Sequence, residues 1–118
     1  MRQDKVLGML GLAQRAGKVK SGSFLTESAI VAGKAKLVIF HAGDLSETGR
    51  RLMRKAEEKH IPYLFYTDKE SLGRALGKAE RSCLAVTDPG FAAQLQKLAA
   101  QAAEEDRETA AKPQSDRN

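Results

Sequence analysis

Three short apolar runs, Leu37-Val38-Ile39-Phe40, Tyr63-Leu64-Phe65-Tyr66 and Cys83-Leu84-Ala85-Val86, each give way to residues that start helices, and this alternation constrains the fold most. Unbroken runs of β-formers, with no polar residue at every second position, are the mark of strands covered on both faces. Ser46 follows the first run and precedes a helical pattern carrying Leu52 and Ala56. Thr67 or Asp68 does the same after the second, before a shorter pattern with Leu72 and Leu76. After the third comes Asp88-Pro89, an N-cap with proline at the first helical position, and Phe91, Leu95 and Leu98 continue at core spacing. Strands and helices in alternation put helices on both faces of a single sheet.

Two further helices and a weak strand precede these. Between positions 4 and 16 the residues Val6, Leu7, Met9, Leu10 and Leu12 recur at helical spacing, and Gly17 is placed to end the helix. The stretch Gly17-Lys18-Val19-Lys20-Ser21-Gly22 is short and basic and predicts a brief extended segment. Ser23 is expected to cap a second helix that carries Leu25, Ala29 and Ile30 and stops near Gly33. The expected fold is α/β, a single-domain α/β/α sandwich around a small, four-stranded mixed sheet. It should occupy residues 1–103, with residues 104–118 forming a charged, disordered tail.

A chain of 118 residues suffices for one hydrophobic core. The formal charge of +5 is unevenly distributed. Residues 104–118 hold five acids and three bases, which leaves 17 bases against 10 acids before them, a net of +7. A compact domain of that balance suits a polyanion. Cys83 is the single cysteine, so no internal disulfide can form and a reducing, cytoplasmic setting is expected. Residues 6–13 are apolar, but Asp4 precedes them and Gln14-Arg15 follow, so they read as a helix and not as a signal peptide. No run approaches the ~18 apolar residues of a membrane span, and no membrane partner is expected.

Catalytic arrangements fail on spacing. Residues 11–18 superficially match a phosphate-binding loop, yet five residues separate Gly11 from Gly17 and Val19 stands where a magnesium-binding hydroxyl belongs. Asp44, Asp68 and Asp88 each follow a strand and could face a metal, but capping and turn formation account for them better. His41 and His60 lack a second ligand at metal spacing; His60 is expected in the polar last turn of its helix. Cys83 lies in an apolar run with no neighbouring base, as an inert core thiol does. No enzyme and no cofactor are expected.

Basic residues gather instead at loops and helix starts. Lys18, Lys20, Lys34 and Lys36 surround the second helix, and Arg74, Lys78 and Arg81 surround the turn before the last strand. Both groups flank glycines, where backbone can come close to a phosphate or a base. Arg50, Arg51, Arg54 and Lys55 form a third cluster, which can equally be a solvated helix face.

These residues carry a family resemblance. Gly-Leu-Ala-Gln-Arg-Ala-Gly-Lys-Val-Lys-Ser-Gly (11–22), Ala-Lys-Leu-Val-Ile (35–39), Ile-Pro-Tyr (61–63) and Leu-Gly-Arg-Ala-Leu-Gly (72–77) occur in the order and spacing of the kink-turn-binding ribosomal-protein family, the L-seven-Ae type. Over about residues 4–100 the chain resembles that family, particularly its small bacterial YlxQ-like members. The resemblance implies a non-catalytic protein that binds a sharply bent internal-loop RNA, with structured RNA as partner, ribosomal RNA among the candidates, and the ribosome as a candidate setting. It implies a first RNA surface of Lys20, Ser21, Gly22, Ser23, Phe24, Leu25 and Ser28, to which the basic group around the second helix adds Lys18. It implies a second of Lys78, Ala79, Glu80 and Arg81, with Lys36 nearby, to which the basic group around that turn adds Arg74. The family's Gly-x-Asn-Glu-x-x-Lys is replaced here by Gly22-Ser23-Phe24-Leu25-Thr26-Glu27-Ser28. Phe24 is expected to staple the start of the helix against the core, with stacking on a base as the alternative. Arg81 is expected to stack on an extruded base. A monomer is expected. The alternatives are a module of the same fold that reads general RNA shape, and one that meets a protein partner through Phe24 and Leu25.

Overall fold

The computed structural model describes residues 4–111. Among them helices and strands alternate as α1 (Lys5–Arg15), β1 (Val19–Ser21), α2 (Ser23–Val31), β2 (Leu37–Phe40), α3 (Glu47–Glu58), β3 (Tyr63–Phe65), α4 (Lys69–Ala75), β4 (Cys83–Val86) and α5 (Pro89–Ala111). The strands form one four-stranded sheet in the order β1-β4-β2-β3. β4 is antiparallel to both of its neighbours, whereas β2 and β3 run parallel, so the sheet is mixed as the sequence predicts.

The unbroken apolar runs of β2 and β4 are explained by a core on each side, whereas β3, expected to be covered likewise, is an edge strand in which Tyr63 and Leu64 are half-buried and Phe65 is 41% exposed, because only one neighbour flanks it. Leu37, Ile39, Leu84 and Val86 face Val6, Leu10, Leu72, Leu76 and Leu95 of α1, α4 and α5. Their alternates Val38, Phe40, Cys83 and Ala85 face Ala29 and Ile30 of α2 and Leu52 and Ala56 of α3. All four residues of β2 and all four of β4 are buried. Successive side chains of a strand point to opposite faces, so both parities had to be apolar.

Four helices stop in one manner. Gly17, Gly33 and Gly77 follow α1, α2 and α4 with φ of 75°, 73° and 70°, and His60 follows α3 with φ of 58°. The next residue's N–H then reaches back: Lys18 to the Ala13 carbonyl, Lys34 to Ala29, Lys78 to Gly73 and Ile61 to Ala56, at 2.8–2.9 Å. This is the Schellman arrangement, which satisfies carbonyls that the helix leaves free. His60 therefore lies just beyond its helix and not in the last turn. Its left-handed backbone, which glycine adopts freely, costs a histidine about 1 kcal/mol.

Three helix starts follow the expected caps, α1 adds Asp4 as a cap, and α2 departs. Asp4, Ser46, Asp68 and Asp88 each accept a hydrogen bond from the N–H three residues on, at 2.7–2.9 Å. In Asp68 that backbone bond is the main cause of a carboxyl pKa below its ordinary value. For α2 the cap is Gly22, not Ser23, and it offers no side chain. Gly22 still belongs to the sheet, its N–H donating to the Cys83 carbonyl at 2.9 Å. The helix thus begins directly off the strand, through a φ of 91° that suits glycine alone. Asp44 has a turn-forming role, as expected: its buried carboxylate accepts from the Ser46 N–H at 2.9 Å and hydroxyl at 2.7 Å, steadying the α3 cap. No cluster of metal-binding side chains occurs among the described residues.

α5 continues past residue 103 to Ala111. Its alanines favour helix, and Arg107 pairs with Glu104 one turn earlier. The rest of the expected tail, residues 112–118, lies outside the described residues. No described helix is long and apolar enough to cross a membrane.

Candidate nucleic-acid interface

Three connections meet at one end of the sheet: residues 21–25 between β1 and α2, residues 41–46 between β2 and α3, and residues 77–82 before β4. Backbone bonds fix them to each other. Gly22 donates to Cys83, His41 donates to Ser82 at 2.9 Å, and Arg81 donates to Lys69 at 3.0 Å. Because β1 and β2 flank β4, the first two connections lie roughly 10 Å apart, with the third between them.

Arg81 ties this end together. Its Nε donates to the Ser21 hydroxyl at 3.2 Å, and its Nη1 donates to the carbonyls of Ala79 at 3.2 Å and Glu80 at 3.0 Å. A guanidinium so engaged serves as a clamp between the loop and the end of β1, two residues before α2, its N–H groups held in the plane of the group. Glu80 is engaged as well, 3.7 Å from the Lys69 ammonium. The loop also needs Gly73, since a Cβ there would lie 2.1 Å from the Ala79 carbonyl oxygen. Lys78 and Ala79 are left exposed at its tip, and Arg74 is exposed on α4, donating to the Ser71 hydroxyl at 3.1 Å.

The start of α2 is open to solvent. With glycine as its cap, no side chain covers the first-turn N–H groups, which carry the positive end of the helix dipole. Beneath them Thr26 is fully buried, its hydroxyl 3.5 Å from the Lys20 carbonyl and 3.6 Å from the Cys83 sulfur. Burial raises the pKa of the Cys83 thiol, which keeps it protonated and inert.

Phe24 does not staple the helix to the core. It is 78% exposed, and Leu25 is 45% exposed. α2 fills the layer beneath it with Thr26, Ala29 and Ile30, leaving Phe24 on the outer side. Ser28 is exposed too. Glu27 is occupied, 2.9 Å from Arg51 and 3.8 Å from Lys55, and the Arg51 hydrogen bond above all lowers its pKa. Part of the α3 basic cluster is thereby spent on helix pairing.

Lys36 is not near the loop. Its N–H donates to the Val86 carbonyl at 2.7 Å, and the Lys18 carbonyl accepts from Thr87 at 2.9 Å. Both therefore stand at the opposite end of β4 from Arg81, about 16 Å along the strand. Lys20, paired with Ala85, lies between the two ends.

Sequence reasoning weighed His41 and Asp44 as metal ligands and Ser46 as a helix start, but passed over Leu45. Leu45 is 74% exposed beside the loop's anchor at His41. A signal was present: Leu45 precedes the N-cap Ser46, where an apolar residue usually packs on a partner four residues into the helix, and that partner is Arg50.

Comparison with known proteins agrees with this architecture. Residues 4–96 match the model of the ribosomal protein L7Ae/L30e/S12e/Gadd45 family. The chain is 40% identical over 87 residues to the RNA-binding protein YlxQ of Bacillus subtilis (strain 168), covering 74% of this chain and 87% of that one. A protein of unknown function from Bacillus halodurans C superposes with a TM-score of 0.77 at 34% identity, over 81% of this chain and 97% of the other. The Giardia lamblia 15.5kD RNA binding protein shares the fold, with a TM-score of 0.70 at 24% identity over 85% and 92% of the two chains. With its sheet order, its glycine-started second helix and a match spanning nearly the whole folded domain, the chain belongs to the ribosomal protein L7Ae/L30e/S12e/Gadd45 family, as a YlxQ-like member.

Proposed function

We propose that this protein binds structured RNA without catalysing a reaction, with a bent, kink-turn-like internal loop as its ligand and a role linked to the ribosome or translation. The observation that carries the reading is the uncapped start of α2 next to Ser21, where Arg81 clamps the end of β1 to a glycine-bounded loop. Family membership, a relative named as an RNA-binding protein and the basic domain support it.

On this reading a phosphate of the bent strand lies against the first-turn N–H groups of α2, where backbone donors and dipole act together. Lys20 and Lys78 neutralise neighbouring phosphates, while Ser21, Gly22, Ser23 and Ser28 line the approach. Phe24 and Leu25 occupy the positions at which the family presents Asn and Glu, so base faces, not base edges, meet this surface. Ala79 and Glu80 shape the loop that Arg81 holds. By favouring the bent form, the protein shifts the RNA's own equilibrium toward it.

Affinities for a kink-turn RNA and a plain duplex of equal length, measured across salt concentrations, test this. A preference of at least about tenfold for the bent RNA is expected. Equal affinity with equal salt slopes would instead identify a reader of general RNA shape. The exposed Phe24 and Leu25 favour one other reading, a protein partner, for which association would survive ribonuclease and high salt.

A further inference from the structure

The far end of the sheet carries cations that the site above does not use. Gly-Lys recurs at 17–18, 33–34 and 77–78, each time at a Schellman stop. In that motif the residue after the glycine commonly packs against the helix's last turn. Ile61 after α3 does so and is buried, whereas Lys18, Lys34 and Lys78 are all exposed. Helix-stop packing therefore does not explain the lysines. Lys78 stands at the near end, but Lys18 and Lys34 stand at the far end with Lys36. Lys18 and Lys36 lie on either side of the end of β4, roughly 10 Å apart. No acidic side chain pairs with any of the three among the described residues. Of the acids on adjoining segments, Asp88 is engaged with the Phe91 N–H and Glu57 with the Tyr63 hydroxyl, and the exposed Glu58 at the end of α3 pairs with none of the three lysines.

We propose that Lys18, Lys34 and Lys36 form a second phosphate-contact surface, which holds the helical flank of the RNA whose bend sits at the near end. The inference rests on the RNA-binding reading and adds a second place of contact to it. β1 and α2 both run from one end to the other, and the exposed Lys20 bridges the interval. A flank leaving the bend along that side meets Lys20 first and the three lysines next. The grip is electrostatic and independent of sequence.

The test compares wild type with a combined Lys18→Ala, Lys34→Ala, Lys36→Ala variant on two RNAs carrying the same kinked loop, one with a minimal flank and one with a flank extended by a helical turn. The variant should bind the extended RNA on the order of tenfold more weakly at moderate salt. Its slope of log affinity against log salt should fall by about 2. Binding to the minimal RNA should be unchanged, and arginine at the three positions should restore the slope. An unchanged slope on the extended RNA overturns the inference, even if the variant melts earlier, because the lysines would then merely offset helix dipoles. Equal losses on both RNAs overturn it as well. If wild type does not distinguish kinked RNA from duplex, the near-end reading fails instead, and that outcome is visible without the variant.

Discussion

Phe24 is a large apolar side chain in the first turn of a helix, and the fold makes no use of it. Its removal separates folding from binding. Phe24→Ala should leave urea-unfolding stability within about 0.5 kcal/mol, as for other exposed positions. RNA affinity should fall by about 1–3 kcal/mol, the usual worth of a base stacked on an aromatic ring. Titration of the variant with kink-turn RNA checks this, and unchanged affinity would remove Phe24 from the interface. Arg81 is the contrasting residue. Its charge is legible in the sequence, but its job depends on Ser21, sixty positions away, and local patterns do not report such a pairing.

At the level of elements, the strands of the two-layered core were legible because burial on both faces leaves no polar residue in β2 or β4. Helix stops were legible for a similar reason, since glycine is the residue that a left-handed cap favours. The start of α2 was misread because Ser23 is an ordinary cap residue, while the sheet bond of Gly22 that displaces it comes from β4. Lys36 was misplaced for want of the strand order: only the antiparallel pairing of β2 with β4 sends it away from Arg81. The basic, glycine-flanked character of the site could be read; which groups share an end could not. The α4–loop contact makes a prediction at this scale. Gly73→Ala should destabilise the protein by at least about 1–3 kcal/mol, because the obstacle is backbone and cannot rotate aside. It should also weaken RNA binding more than Leu52→Ala, which empties space in the layer below α2 and α3. Urea melts paired with RNA titrations distinguish the two, and equal binding losses would mean that the loop's position is immaterial.

Across the whole molecule, Asp4 joins the first helix to the end of the edge strand. Its carboxylate accepts from the Leu7 N–H and also from the Tyr66 hydroxyl, at 2.9–3.0 Å. Burial first, and then this carboxylate, push the Tyr66 pKa well above its ordinary value. A phenol raised in the folded state contributes stability that is complete below its unfolded pKa of about 10 and disappears as pH rises through the folded one. Stability should therefore decline above about pH 10, and Tyr66→Phe should flatten that decline; thermal melts between pH 9 and 11 measure it. The same scale governs the two charged ends. β4 lies sealed between both layers and hydrogen-bonded along both sides, so it can neither lengthen nor slide. It acts as a caliper with fixed jaws. Any long polymer touching both ends must bring its own contour to that gauge, and bending then becomes the task of the softer molecule.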